Sequence, residues 1–286
     1  MIQQRDKLKR HFFLVAMIIA FLLIAAGQLL FFPFILYPHK ITSDAGMIFL
    51  LKYASFLGIW IVTILYCRFA EKDIYKGFGS ARKGGKKGNN LKNLFIGLGI
   101  GVAINAFCAL AAYLHNDLVF SFSSFDILYL GLGLVAIFIQ SGAEELVTRG
   151  YLYGAIESRY GVVLAFVINS VFFAFLHGAN KGITIMAILQ ITLISIVFSF
   201  FVYRYDSLWM AMGMHTGWNY TQSLLLGLPN SGIVSAKALF HLDASSDSIL
   251  YSASFGLEGG LTVDIILFVM IVCFLIAEKR KKGNNM

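Results

Sequence analysis

Residues 12–37, FFLVAMIIAFLLIAAGQLLFFPFILY, contain no charged side chain. A helix that crosses the hydrocarbon core of a bilayer needs about 20 consecutive apolar residues, so this stretch predicts a transmembrane helix. It is too long for the apolar region of a cleavable signal peptide and lacks a small-residue cleavage site. The whole chain has the same character, since 58% of its 286 residues are apolar and 13% are charged.

Soluble domains are nearer ~45–50% apolar and ~25% charged, so the composition excludes a disordered chain, a disulfide scaffold and an ordinary soluble enzyme. Continuous apolar runs, without alternation, also exclude an outer-membrane barrel. We predict an all-α, polytopic membrane helix bundle of about eight transmembrane helices. The predicted spans are residues 12–37, 47–67, 94–114, 127–156, 162–177, 183–203, 208–228 and 261–277.

The distribution of lysine and arginine predicts the orientation of this bundle. With both termini in the cytoplasm, 19 of these residues fall on the cytoplasmic side and four on the outside. Such an excess is the topology signal of membrane proteins, and it accounts for the net charge of +8 without nucleic acid as a partner. The lipid bilayer is therefore the partner that the charge distribution predicts.

Two segments lie between the spans. The basic cytoplasmic loop 68–93 contains GSARKGGKKGNN at residues 79–90, which is typical of a flexible linker beside anionic headgroups. It lacks the GxxxxGK[ST] pattern of a phosphate-binding loop. The predicted outer loop, residues 229–260, could lie on the membrane or cap a cavity. The three cysteines are far apart and are expected to serve in packing.

Charged residues inside the fourth span mark the first candidate motif, SGAEELVTRG at residues 141–150. An ionisable side chain in a span costs about 2.5–3.5 kcal/mol on insertion, so it usually faces the bundle interior and serves function. Arg149 lies four residues after Glu145 on one helix face, which predicts a structural ion pair. Glu144 points about 100° away and is left free to meet another helix. A loop at the cytoplasmic border would tolerate the same charges.

Two further motifs place polar residues in apolar spans. FFAFLHG, residues 172–178, ends the fifth span with His177, and a lone histidine at a helix end is more often a border residue than a ligand. Phe173 lies one turn before His177 on the same face. MGMHTGWNY, residues 212–220, places His215 and Asn219 on one face of the seventh span, where they need polar partners on a neighbouring helix.

One carboxylate, two imidazoles and a carboxamide from three helices fit hydrolytic chemistry. A carboxylate can act as general base on water, and two histidines with a glutamate can hold a divalent ion such as zinc. His215 or Asn219 could instead donate hydrogen bonds to a developing oxyanion. The patterns GxSxG, HExxH and GxGD, which mark other protease types, are absent from the sequence.

The ordered motifs resemble those of a known family. EELVTR at 144–149 follows EExxxR, FAFLH at 173–177 follows FxxxH, and HTGWN at 215–219 follows HxxxN. On successive spans they resemble the CAAX-protease and bacteriocin-processing (CPBP) family of intramembrane endopeptidases, similar to the type II CAAX prenyl endopeptidase. The resemblance implies a catalytic core at 126–228, preceded by a three-span region, 1–125, and followed by the outer loop, eighth span and basic tail, 229–286.

The resemblance also implies residue roles. Glu144 is the catalytic carboxylate with Glu145 as its neighbour, and Arg149 fixes the helix together with Phe173. His177 and His215 complete a water-activating site, or a metal site with Glu144, and Asn219 serves as oxyanion donor or fourth ligand. A divalent metal, with zinc as the candidate, is favoured over a metal-free site.

These roles require Glu144, His177 and His215 to converge within about 4–6 Å, as around a shared metal or water. In straight helices normal to the bilayer, Glu144 and His177 would lie near opposite borders. We therefore expect the fourth helix to be tilted, to start above the membrane, or to be broken at Gly142 and the SGA stretch.

The resemblance leaves the substrate and the biological role open. Lipidated CAAX-like peptides, bacteriocins and signal peptides are the substrate classes of the family. The alternative is a non-catalytic membrane scaffold or bacteriocin self-immunity protein that binds a membrane partner, and a third interpretation is a transporter with an ion relay. The short loops and lack of targeting extensions favour the bacterial cytoplasmic membrane.

Overall fold

The computed structural model describes residues 12–80, 84–244 and 247–283, and in them the predicted all-α membrane bundle is confirmed. The helices are α1 (Phe13–Leu30), α2 (Phe32–Leu36), α3 (Ala45–Ala54), α4 (Leu57–Ala70), α5 (Lys72–Lys76), α6 (Leu91–Leu114), α7 (Ile127–Glu145), α8 (Tyr153–Tyr160), α9 (Val162–His177), α10 (Ile185–Tyr205), α11 (Leu208–Tyr220) and α12 (Leu261–Gly283). Short 3₁₀ turns lie at Pro38–Lys40 and Leu257–Gly259, and π-helical turns at Leu146–Leu152 and Thr221–Leu225.

Each of the eight predicted spans contains helix. Among the described residues, six helical segments are long and apolar enough to cross a bilayer: Phe13–Leu30, Ala45–Ala70, Leu91–Leu114, Ile127–Tyr160, Ile185–Tyr205 and Leu261–Lys281. Helix α9, with 16 residues, is shorter than these segments, and α11 with the π-helical turn that continues it is not among the six. Eight crossings therefore stays a prediction, and the basic residues before Phe12, together with Arg82 and Lys83, lie outside the described residues.

The outer faces of the long helices carry large apolar side chains. Ile18 of α1 is 58% exposed, Val163 of α9 is 80% exposed and Phe268 of α12 is 60% exposed. A protein in water rarely exposes such continuous apolar surface. These faces are suited to contact with lipid, which agrees with a multi-pass membrane protein.

Glycines bring α6 and α11 into backbone contact. Gly97 and Gly101 of α6 pack against the backbone at Met210 and Met214, and Gly213 and Gly217 of α11 face the backbone of α6 in return. Two GxxxG patterns therefore interlock, as in closely packed transmembrane helices. His215 lies between the two glycines of α11, so this contact fixes the position of a site residue.

We expect Gly101→Ala to lower the free energy of unfolding by about 1–3 kcal/mol, because the added methyl group collides with the carbonyl oxygen of Met214. Gly99→Ala is the matched control, since Gly99 lies on the same helix with nothing within 4 Å of an added Cβ. Alanine should leave stability there unchanged or raise it by up to about 1 kcal/mol. Thermal unfolding of both variants in detergent checks this; equal stabilities would contradict the close contact.

A small antiparallel sheet was not expected from the sequence. Strand β1 (Leu118–Phe122), after α6, pairs with β2 (Phe240–Ala244) in the predicted outer loop, with Phe122 opposite Phe240. The rings of Phe120 and Phe240 lie 4.6 Å apart between centroids, so aromatic contact supports the register. The sheet ties the loop to the bundle.

The expectation for the cysteines holds for two of the three. Cys67 and Cys108 are buried among apolar side chains, as expected for packing. The expectation is wrong for Cys273, whose side chain is exposed on α12. The apolar run around it gave no indication of which helix face is covered.

Candidate active site

Helix α7 carries the acidic pair at its C-terminal end. Asp126 begins the helix by accepting a hydrogen bond from the backbone N–H of Tyr129 at 2.9 Å. Of the three alternatives for the fourth helix, a break at Gly142 does not occur: the helix stays regular through Glu145 and becomes π-helical at Leu146–Leu152. Gly142 serves close packing instead, because the Trp60 ring occupies the space that a Cβ would need. π-Helical turns often occur at functional sites.

The expected convergence of the three candidate residues is confirmed. Glu144 Oε2 lies 3.9 Å from Nε2 of His177 and 3.8 Å from Nε2 of His215. The helical segment Ile127–Tyr160 has 34 residues and is ~51 Å long, so it extends well beyond the ~30 Å hydrocarbon core. With α9 only ~24 Å long, Glu144 and His177 need not lie at opposite borders.

Glu145 and Arg149 form the predicted ion pair. Arg149 Nη1 donates to Glu145 Oε1 at 3.0 Å, and neither side chain is exposed. The same carboxylate oxygen lies 3.0 Å from Nδ1 of His215. Glu145 therefore connects the π-helical turn with α11, a contact that the spacing of the motif did not reveal.

The guanidinium of Arg149 is held on several sides. Its centre lies 4.2 Å from the ring centroid of Phe173 and 5.2 Å from that of Phe198, both within cation–π range. Nη2 donates to Ser195 Oγ at 2.6 Å, and that hydroxyl donates to Ser170 at 3.1 Å. The arginine thus fastens α7, α9 and α10 around the acidic pair.

Hydrogen bonds select one tautomer for each neutral histidine. Nδ1 of His177 lies 2.8 Å from the carbonyl oxygen of Phe173, which can only accept, so Nδ1 carries the hydrogen. His215 likewise donates from Nδ1 to the carboxylate of Glu145. Both Nε2 atoms therefore present lone pairs towards Glu144 Oε2, a buried oxygen without a hydrogen-bond partner among the described residues. Three converging acceptors suit a proton, a water molecule or a metal cation.

Asn219 connects to Glu144 through a relay. Its Nδ2 donates to Gln140 Oε1 at 3.1 Å and to Ser141 Oγ at 3.2 Å. Gln140 Nε2 in turn donates to Glu144 Oε1 at 2.6 Å. One carboxylate oxygen of Glu144 is therefore fixed, while the other faces the two histidines.

The site opens into a cavity of roughly 410 Å³. Asn230, Ser231 and Glu258 of the predicted outer loop line it, so this loop caps a cavity, one of the two positions left open by the sequence. Glu258 accepts from Trp218 Nε1 at 3.1 Å and from the backbone N–H of Ser231 at 2.7 Å. Burial raises the pKa of the Glu258 carboxyl, against the lowering effect of its hydrogen bonds to Ser231.

Sequence reasoning missed several members of this site. Gln140 precedes Glu144 by four residues, the spacing used for His215 and Asn219, so the pattern could have found it. Gln190 is a polar residue in the sixth span and carried the general signal of an intramembrane polar group. The contact of Glu258 with Trp218 joins distant segments and has no local signal.

The comparison with known families agrees with this geometry. Residues 125–221 match the Rce1-like family, described as type II CAAX prenyl endopeptidase Rce1-like. The match confirms the resemblance inferred from the three motifs and contains every predicted site residue. A search of curated proteins found no match to the chain.

The matched family is described as one of CAAX prenyl endopeptidases, and the match covers the segment that carries the three motifs. The N-terminal helices and the outer loop lie outside the matched segment, although Glu258 and Ser231 line the same cavity.

Proposed function

We propose that this chain is an intramembrane endopeptidase in which Glu144 activates a water molecule that attacks the scissile peptide bond. The observation that carries the proposal is the buried Glu144 Oε2, which has no hydrogen-bond partner among the described residues and faces Nε2 of His177 at 3.9 Å and of His215 at 3.8 Å. A carboxylate within one water molecule of two imidazole acceptors suits general-base catalysis.

Each proton movement is assigned to a side chain. Glu144 Oε2 takes a proton from the water while its oxygen bonds to the scissile carbonyl carbon. One of the two imidazoles accepts the second hydrogen of that water at its Nε2. Glu144 then returns its proton to the amide nitrogen as the C–N bond breaks, leaving a carboxylic acid, an amine and the original carboxylate.

The remaining residues orient this base. Glu145, paired with Arg149, fixes the tautomer and the ring of His215 through Nδ1. Asn219 orients Glu144 through Gln140. For Asn219 to serve as oxyanion donor, it would have to exchange one of its bonds from Nδ2 to Gln140 or Ser141 for a bond to the substrate.

The types of donor atom, though not their spacing in this structure, match those of a divalent metal site. Glu144 Oε2 and Nε2 of His177 and His215 are the oxygen and nitrogen donors that zinc takes, and both histidines have second hydrogen bonds that orient them. The atoms lie wider apart than the ~3.3 Å between tetrahedral zinc ligands, and the described residues contain no compact cluster of three metal-binding side chains. A bound metal would lower the pKa of its water towards ~7.

If these residues hold a metal, purified protein should contain about one divalent ion per chain, and 1,10-phenanthroline should remove activity that zinc restores. His177→Ala and His215→Ala should lose the ion in elemental analysis, whereas the exposed His39 gives a control variant, His39→Ala, that retains it. Metal-free protein with full activity would overturn the metal assignment and leave Glu144 acting on water alone.

The proposed substrates are membrane-associated peptides: lipidated CAAX-like peptides, bacteriocin precursors or signal peptides. Apolar side chains such as Phe49, Phe56 and Ile191 line the cavity and support an apolar peptide. The proposed location is the bacterial cytoplasmic membrane.

The test is cleavage of a library of such peptides, prenylated CAAX sequences included, by the purified protein in proteoliposomes. Mass spectrometry should find products with wild type that are absent with Glu144→Gln. Identical products from both proteins would overturn the proposal. Intact peptides, with an in-cell phenotype that survives Glu144→Gln, would favour the scaffold or self-immunity alternative.

A further inference from the structure

Gln190 lies on the wall that α10 gives to the cavity. Its side chain is 1% exposed and lines the cavity together with Ile194 and Phe198. These three residues are spaced four apart, so they share one face of the helix. Neither Nε2 nor Oε1 of Gln190 has a hydrogen-bond partner in the described part of the chain.

This isolation is unusual for a buried glutamine. Burial of a carboxamide without hydrogen bonds costs free energy that an apolar side chain of the same size would not cost. Gln222, also buried, shows the ordinary solution: Nε2 donates to the carbonyl oxygen of Pro229 at 2.6 Å and Oε1 accepts from Asn105 at 2.8 Å. Both polar groups of Gln190 are therefore left without a hydrogen bond from the described residues, in the wall of the cavity.

A carboxamide has the same pair of groups as a peptide bond. Its N–H can donate to a main-chain carbonyl while its oxygen accepts from a main-chain N–H. Such paired bonds recognise an extended peptide regardless of its side chains, as in the addition of a strand to a sheet. The partner that fits Gln190 is a peptide backbone.

The position of Gln190 along α10 gives its approximate distance from the scissile bond. The Phe198 ring stacks on His215 with centroids 5.3 Å apart, so this part of α10 lies level with the site. Gln190 precedes Phe198 by eight residues, or ~12 Å along the helix axis. An extended peptide covers that length in about three to four residues.

We propose that Gln190 binds the main chain of the substrate three to four residues from the scissile bond. The bound residue lies in the part of the substrate that extends towards the N-terminal end of α10. This inference rests on the proposed peptidase function and adds a substrate-binding residue outside the three motifs. Its interaction is the same in the ground state and the transition state, so its loss should affect KM more than kcat.

The test compares wild type with Gln190→Leu on a peptide that wild type cleaves. We expect KM to rise about tenfold or more with kcat within about twofold, and the unfolding temperature to stay equal or rise. A peptide truncated to two residues on that side of the scissile bond should have the same KM with both proteins. Equal KM values for the long peptide would overturn the proposal.

Gln222→Leu is the matched control, because the same substitution there removes the partners of Asn105 and Pro229 and should lower the unfolding temperature. A comparable loss of stability in Gln190→Leu would show a structural role and overturn the proposal.

A binding measurement separates this inference from the peptidase proposal. Peptides retained from the library by Glu144→Gln protein are quantified by mass spectrometry, with and without Gln190→Leu. At least tenfold lower retention with Gln190→Leu supports the contact even if wild type cleaves nothing, in which case only the peptidase proposal fails. Equal retention overturns the inference.

Discussion

Glu144→Gln should lower kcat about 10²–10⁴-fold, because the carboxamide cannot take a proton from water. The substitution preserves shape and an oxygen that can accept from Gln140, so folding should be unaffected. Initial rates of peptide cleavage measure the change in kcat, and the unfolding temperature of the same preparation shows whether folding is affected. KM should change little if Glu144 acts mainly in the transition state.

Glu157→Gln is the control for this substitution. Glu157 lies on α8, in the same long helical segment but away from the active-site cavity, so its variant should keep the wild-type rate. A Glu144→Gln protein within tenfold of wild type would contradict the role of Glu144 as the base.

Arg149→Met should lower the free energy of unfolding by about 3–5 kcal/mol, because it leaves the carboxylate of Glu145 buried without its cation. Methionine is apolar and of similar length, so it can fill the space between Phe173 and Phe198 and limit the effect to the lost charge. Chemical or thermal unfolding in detergent measures the change.

The double variant Glu145→Gln with Arg149→Met is the control for the ion pair. Since it removes both charges, it should recover part of the stability lost in Arg149→Met, and the carboxamide oxygen introduced by Glu145→Gln can still accept from His215. If the loss of stability in the double variant equals the sum of the losses in Glu145→Gln and Arg149→Met, the pair does not stabilise the bundle in the way that its geometry indicates.

Local spacing made much of this site predictable. The four-residue separation of Glu145 and Arg149 predicted their ion pair, and the offset of Glu144 predicted that its carboxylate would face another helix. The predicted helices also placed His177 correctly at the end of α9 and His215 inside α11.

The remaining features depend on contacts between distant segments. The pairing of Leu118–Phe122 with Phe240–Ala244 joins short strands separated by more than 100 residues, and neither has a strong signal alone. The contact of Glu258 with Trp218 depends in the same way on the loop folding back over the cavity. The free carboxamide of Gln190 became informative only when its missing partners were visible.

The most direct test is a single turnover of wild-type protein with a cleavable peptide in H₂¹⁸O, followed by mass spectrometry of products and protein. Direct attack by water on the peptide bond predicts one ¹⁸O atom in the new carboxyl group and a protein of unchanged mass throughout the turnover. A protein that becomes covalently acylated during the turnover, or peptides left intact by a folded protein, would contradict the account.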